Sequence, residues 1–459
     1  MRVPSLFLLL LALATRLGAY EEADLNDTGG KPVLHYAIVV PKDPPPAHTG
    51  DPARQLGLIL CFHEHDGHAQ DELPSVIESL ARLQLTEQFV VIGVGGPERA
   101  YTQEDRTHTV ELIAWARKAY AINPRRVYTW GRGEGATMSA EFALAHPELV
   151  TAAINYSWGF TAMPDAKDPF NELPGLYIVI GLSDIDYHIT TVQDAYQRAR
   201  PHGYQIIYRE VKGLGSDTHD PQTNDDALVW ANAMRNKVQP LAPKELALLK
   251  PIASAGAARS LVASAAVIDG IALVGGLQAG ALIGPLFDAK DEPTRLLAIA
   301  SAERSAYGEQ AMVALAKKLK DPSPAVRKAV ISALGVNAHW HSVVAQQALS
   351  QYATARKGDV EGRGLAIAAI GQALVLQIPS SHLQDIVLGQ ALVALLDDED
   401  ETIRIQAFAV LQPAQASDYK PEGSKAERKV AVAAWQAWLT AAAAKEPDIR
   451  AATAKPRPH

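Results

Sequence analysis

The stretch Arg125-Arg126-Val127-Tyr128-Thr129-Trp130-Gly131-Arg132-Gly133-Glu134-Gly135-Ala136 runs from a β-type segment through a glycine-rich turn into a helical pattern. Glycines at alternate positions let the backbone turn sharply between the two elements. Outward from this stretch, residues 35–240 alternate apolar runs with amphipathic ones. Strands are expected at 36–40, 57–62, 90–94, 127–130, 152–156, 177–180 and 205–210, and helices at 109–120, 136–146, 191–200 and 225–237. That alternation marks a doubly wound α/β sheet, mainly parallel and covered by helices. Its chemistry is expected at the carboxyl ends of the strands. The proline-rich insert from Lys42 to Pro52 reads as a stiff, exposed connection.

The 125–136 stretch, followed one helix later by His146-Pro147, resembles the nucleophile elbow of α/β-hydrolases, most nearly those of the feruloyl-esterase and polyhydroxybutyrate-depolymerase type. In their motif, G-x-S-x-G, a serine is held exposed on a strained turn. Here Gly133 stands at the serine position, so covalent serine catalysis is impossible there. The resemblance implies an acid at Asp184, with Asp186 as the alternative, and a histidine at His219, although Ser216-Asp217-Thr218 interrupts the family's usual Gly-His turn. It also implies an oxyanion segment at His63-Glu64, where the family has His-Gly. A carboxylate at that place opposes the charge that an oxyanion hole must stabilise. Asp184 and His219 are then either a ligand-binding element or a pair that satisfies two polar groups at a sheet edge. Ser139 and Ser157 are the candidate substitute nucleophiles, and Arg132 and Glu134 flank Gly133 as partners for each other or for a ligand.

Two other chemistries fit some of the same letters. His63-Glu64-His65-Asp66-Gly67-His68 puts three imidazoles and two carboxylates in one loop, so His63, His65 and His68, with His219, are candidate ligands for zinc or another divalent metal. A solvated polar loop is the favoured alternative, because the i, i+4 helical spacing of a zinc protease is missing. Gly131-Arg132-Gly133-Glu134-Gly135-Ala136 also matches the G-x-G-x-x-A of a dinucleotide turn, but it does not follow the first strand. Asn155-Tyr156-Ser157 stands where that fold needs an acidic residue, so no cofactor is expected.

The remainder of the chain has a different character. At 459 residues it exceeds a single core, and beyond Pro240 it becomes rich in alanine and leucine. Four segments align in register: Arg295-Leu-Leu-Ala-Ile-Ala-Ser-Ala302, Arg327-Lys-Ala-Val-Ile-Ser-Ala-Leu334, Arg363-Gly-Leu-Ala-Ile-Ala-Ala-Ile370 and Arg404-Ile-Gln-Ala-Phe-Ala-Val-Leu411. Acidic turns precede three of them, at 288–293, 321–324 and 397–401. These units resemble HEAT repeats, which implies an all-α stack in which each unit covers the apolar face of the last, and a surface that docks proteins.

The expected organisation is a secretory signal at 1–19, a lead-in at 20–34, the hydrolase-like domain at 35–240, an alanine- and glycine-rich helical junction at 241–287, the repeats at 288–412, and a C-terminal helix and disordered tail at 413–459. Residues 261–287 are long and apolar enough to cross a bilayer, but Asp269 and Gln278 favour a buried helical pair. The sole cysteine, Cys61, lies in an apolar run and is expected to be a small buried hydrophobe, so the chain has no internal disulfide. With 48% hydrophobic and 20% charged residues and a net charge of −8, no basic surface for nucleic acid is expected. The functional expectation is a secreted or periplasmic, non-catalytic protein that docks a protein partner through its repeats and takes a small ligand or carbohydrate in its cleft. The alternative is a secreted esterase that works through a substitute nucleophile or a metal ion.

Overall fold

The computed structural model describes residues 20–95, 101–164, 166–168, 172–199, 204–216, 219–252, 264–356, 359–374, 383–414 and 417–443. The expected signal at 1–19, the inserted pair Asp217-Thr218 and the tail from 444 lie outside these residues. The chain divides into two compact units, Met1–Tyr208 with Gly213–Pro240, and Arg209–Lys212 with Leu241–His459.

The first unit is built on an eight-stranded sheet in the order β1-β2-β4-β3-β5-β6-β7-β8. Its strands are β1 Glu21–Asn26, β2 Pro32–Val39, β3 Leu56–Phe62, β4 Phe89–Val94, β5 Ile122–Arg132, β6 Ala152–Tyr156, β7 Gly175–Gly181 and β8 Ile206–Val211. β2 runs antiparallel to β1 and β4, while β4, β3, β5, β6 and β7 pair in parallel. This is an α/β-hydrolase-like sheet. The central strands read as continuous apolar runs because both faces are covered. Leu58, Leu60 and Phe62 face one core, shared with Leu112, Ile113 and Phe142. On the opposite face Tyr177 meets Trp230, and the Tyr128 hydroxyl donates to the Met234 carbonyl at 3.2 Å. Cys61 is buried, and burial, with Glu72's charge second, pushes its thiol well up.

Two elements depart from the expected set. The lead-in at 20–34 contains β1, a polar edge strand, and a helix at α1 Leu73–Arg82 covers the sheet where none was expected. The other helices are α2 Gln103–Ala119, α3 Glu134–Ala145, α4 Asp186–Ala199 and α5 Pro221–Ala233. α2 opens on a reciprocal cap, in which Thr102 and Asp105 satisfy each other's amides.

The second unit is helical. It contains α6 Pro243–Leu249, α7 Ala265–Val274, α8 Gly276–Ile283, α9 Glu292–Ser301, α10 Glu309–Ala316, α11 Pro324–His339, α12 Val343–Ala353, α13 Val360–Ala373, α14 Leu383–Leu395, α15 Glu401–Leu411 and α16 Lys425–Ala443. The described part of 261–287 is two short helices parted at Gly275 and Gly276, whose φ values are +57° and +66°. Asp269 pairs with Arg304 at 2.9 Å. No helix among the described residues is long and apolar enough to cross a membrane.

From α9 onward each helix packs on the one two places along, α9-α11-α13-α15 in one layer and α10-α12-α14-α16 in the other. The recurrent arginines explain the register. Arg295 donates to the carbonyls of Ala289 and Lys290, Arg327 to those of Asp321 and Pro322, and Arg404 to those of Asp398 and Glu399, in each case at 2.9 and 3.1 Å. Each arginine thereby fastens the turn that leads into its own helix. Arg295 also reaches the Asp321 carboxylate of the following turn at 3.2 Å, and Arg363 that of Asp398 at 3.3 Å. These pairs tie successive units together.

Candidate functional site

The turn after β5 passes directly from strand to helix through Gly133. Gly133 adopts φ +53° and ψ −124°, a conformation that strains a residue with a side chain, and its amide donates to the Tyr156 carbonyl at 3.0 Å. A Cβ placed on Gly133 would stand 2.7 Å from Glu64 Cγ and 2.8 Å from both Glu64 Cδ and Oε1. The Glu64 side chain therefore occupies the volume in which a serine would project.

The oxyanion segment is committed to other contacts. The His63 amide donates to the Tyr101 hydroxyl at 2.9 Å, and that hydroxyl donates onward to the Val94 carbonyl at 2.7 Å. The His63 imidazole is buried and donates from Nδ1 to the Glu64 carbonyl at 2.6 Å. Burial lowers its pKa, against the opposing effect of that hydrogen bond. His65 lies at the surface, with Nδ1 on the Glu134 carboxylate at 2.7 Å, and this bond raises its pKa. The His68 amide, not its ring, is bonded to Asp71. His63, His65 and His68 thus make separate contacts, and among the described residues no group of three or more His, Cys, Asp or Glu could hold a metal ion.

Asp184 and His219, which the resemblance implies as a pair, make other contacts among the described residues. Asp184 accepts from His188 Nδ1 at 2.8 Å and from the Ile185 amide at 2.7 Å. His219 instead stands with Nε2 3.9 Å from Glu72 Oε2, beyond hydrogen-bond range, and edge-on to the Tyr156 ring at 6.4 Å. The reason is local: Asp184 lies two residues before α4, so the histidine one helical turn on meets it first. The alternative acid, Asp186, opens α4. Arg132 and Glu134 do not pair with each other in the contacts described: Arg132 donates to the Ser216 carbonyl at 2.7 Å and lies 3.7 Å from Glu72. Ser139 is fully buried and donates to Thr129 Oγ1 at 3.0 Å, so it belongs to the packing of α3 on the sheet.

Glu72, Trp130 and Tyr101 are the site residues that sequence reasoning missed. Glu72 precedes α1, is buried, and accepts from Trp130 Nε1 at 3.0 Å. Burial raises its carboxyl pKa, opposed by the Arg132 charge and the Trp130 bond. No motif marks it; the helical spacing of Leu73, Val76, Ile77 and Leu80 was the available signal for the element that positions it.

His219 has a measurable consequence. Burial, with Arg132's charge second, lowers its pKa to about 4. A histidine NMR titration is expected to show it neutral across mild acid, with a midpoint near pH 4. Because the unfolded chain takes up the proton first, near pH 6.5, this group's contribution to stability is lost as pH falls from about 6.5 to about 4. A midpoint at or above 6.5 would show the ring to be solvated instead.

The first unit is thus a mainly parallel α/β-hydrolase-like sheet with Gly133 at the turn after β5. No family model matches the chain, and no curated protein does. Among solved structures, a thermostable esterase is 17% identical over 47% of this chain and 63% of its own, with a TM-score of 0.38, so this chain spans under two thirds of that esterase. An S-formylglutathione hydrolase from Staphylococcus aureus is 14% identical over 46% of this chain and 95% of its own, with a TM-score of 0.33. A ferulic acid esterase is 12% identical over 46% and 95%, with a TM-score of 0.35.

Proposed function

We propose that this is an exported, secreted or periplasmic, protein whose hydrolase-like centre at Gly133 binds a small ligand or carbohydrate without catalysing acyl transfer, and whose HEAT-like helices dock a protein partner. The observation that carries the reading is the Glu64 side chain in the volume a nucleophile would need. Three further features agree with it: the His63 amide is taken by Tyr101, His219 has no carboxylate within hydrogen-bond range among the described residues, and Asp184 serves His188. Acyl transfer needs a nucleophile, an oriented base and free oxyanion donors together, and none of the three is available at this turn.

The test is an ester assay on the full chain with p-nitrophenyl acetate. No turnover that depends on His219 is expected. Turnover that disappears in His219→Ala but persists when Ser139 and Ser157 are both replaced would overturn the reading.

A further inference from the structure

A second strand end in the same unit places a serine, Ser157, at a left-handed φ like that of Gly133, although no helix follows it directly. Ser157-Trp158-Gly159 leaves β6 as Gly133-Glu134-Gly135 leaves β5. Ser157 has φ +62°, against +53° at Gly133, a conformation costly for a residue with a side chain. Each amide is held by a carbonyl near the end of the next strand, Gly133 on Tyr156 and Ser157 on Val179, both at 3.0 Å. The second glycine permits a close approach in both places. A Cβ at Gly135 would lie 2.1 Å from the Phe62 carbonyl oxygen, and one at Gly159 would lie 2.3 Å from that of Thr191.

The groups that would activate such a hydroxyl stand just past β7. The Asp184 side chain is fully buried, with one carboxylate oxygen on His188 Nδ1 and the other without a hydrogen-bond partner. The bond to Nδ1 fixes the tautomer in which His188 Nε2 can accept a proton. The His188 ring lies edge-on to Trp158 at 4.7 Å, so the imidazole borders the residue next to Ser157. Ile185 and Tyr187 are 58% and 61% exposed and, with Trp158, give the approach an apolar and aromatic character. Ser157 and His188 share no hydrogen bond in the substrate-free chain; catalytic hydrogen bonds often tighten only when substrate is bound.

We propose that Ser157 and His188, positioned by Asp184, form a serine-hydrolase centre displaced by one strand, which acts on esters with an apolar acyl group. Ser157 Oγ bonds to the acyl carbon while its proton passes to His188 Nε2. The carbon–oxygen bond to the alcohol then breaks, and the departing alkoxide takes that proton. Water completes the cycle: its proton goes to His188, its oxygen bonds to the acyl carbon, and the released Ser157 oxygen recovers the proton as the carboxylic acid leaves. The inference goes beyond the binding reading of the Gly133 centre and leaves it intact.

The test treats the full chain with a fluorophosphonate probe and with p-nitrophenyl butyrate, and maps any adduct by peptide mass spectrometry. Label is expected on Ser157. Ser157→Gly is the variant of choice, because glycine accepts φ +62° and the change removes only the hydroxymethyl group. It is expected to abolish labelling while the thermal unfolding profile is retained. His188→Gln is expected to lower kcat by about 10²-fold or more. Asp184→Asn is expected to lower kcat with little change in KM and to alter the pH profile, an effect that a merely structural carboxylate would not have. Ser139→Ala should react like the parent chain. An unlabelled, folded parent chain, or labelling that survives Ser157→Gly, overturns the proposal; the first result leaves the Gly133 reading standing. Turnover that survives Ser157→Gly but requires His219 overturns both.

Discussion

Gly133→Ser lowers the stability of the protein and adds no esterase centre at residue 133. The backbone at φ +53° and ψ −124° belongs to glycine, and imposing a side chain there costs about 1–3 kcal/mol. The new Cβ also meets Glu64 at 2.7 Å, so that side chain must swing away. In a unit of this size the combined effect corresponds to a melting point lower by several degrees, at about 2–4 °C per kcal/mol. Adding Glu64→Gly should recover the part due to collision and leave the part due to backbone strain. Neither variant gains esterase activity over the parent chain, because among the described residues His219 has no carboxylate within hydrogen-bond range and the His63 amide is already bonded. Thermal denaturation of the three chains, with an ester assay on each, checks this. A Gly133→Ser chain as stable as the parent would mean that Glu64 does not hold that volume.

Arg363→Ala is expected to be more damaging. The guanidinium is buried, donates to the Ala353 carbonyl at 2.8 Å and lies against the Asp398 carboxylate of the next turn. Truncating it leaves a buried carboxylate without its counter-charge, a loss of about 3–5 kcal/mol. Urea unfolding followed by helical circular dichroism should show it, and limited proteolysis should cut within the second unit first. Burial alone would raise the Asp398 carboxyl, but the hydrogen bonds from Arg363 and the Asp400 amide, with Arg363's charge, outweigh it and hold the pKa low. A depressed folded-state pKa contributes stability at neutral pH that is lost as acid carries the solution down through it, so the parent chain should weaken in acid more than Arg363→Ala does. Equal stability of the two chains at neutral pH would show the pair to be ornamental.

The parts of the fold visible in the sequence were those where burial on both faces leaves an unbroken apolar run. β6, Ala152–Tyr156, is a case in which the expected and observed bounds coincide. β1 escaped because an edge strand carries Glu21, Glu22, Asp24 and Asn26, and a polar segment of that kind reads as loop until a neighbour supplies its hydrogen bonds. α1 was not among the expected helices, although Leu73, Val76, Ile77 and Leu80 carry helical spacing. At the site, Gly133 and Glu64 were each legible as departures from a motif. That one fills the space vacated by the other depends on two loops meeting across 69 residues of chain separation, the distance between 64 and 133. The Asp184–His188 bond, by contrast, sits at helical i, i+4 spacing and could have been read as a rival to His219.

The layered helices of the second unit carry a mechanical implication. Because each helix leans on the one two places along, and the arginine-to-turn bonds are local, no single centre holds the array together. An object built this way deforms as a spring does, spreading a load into many small rotations between neighbours instead of concentrating it at one breaking point. Such compliance lets the helical unit flex along its length while every internal bond stays made.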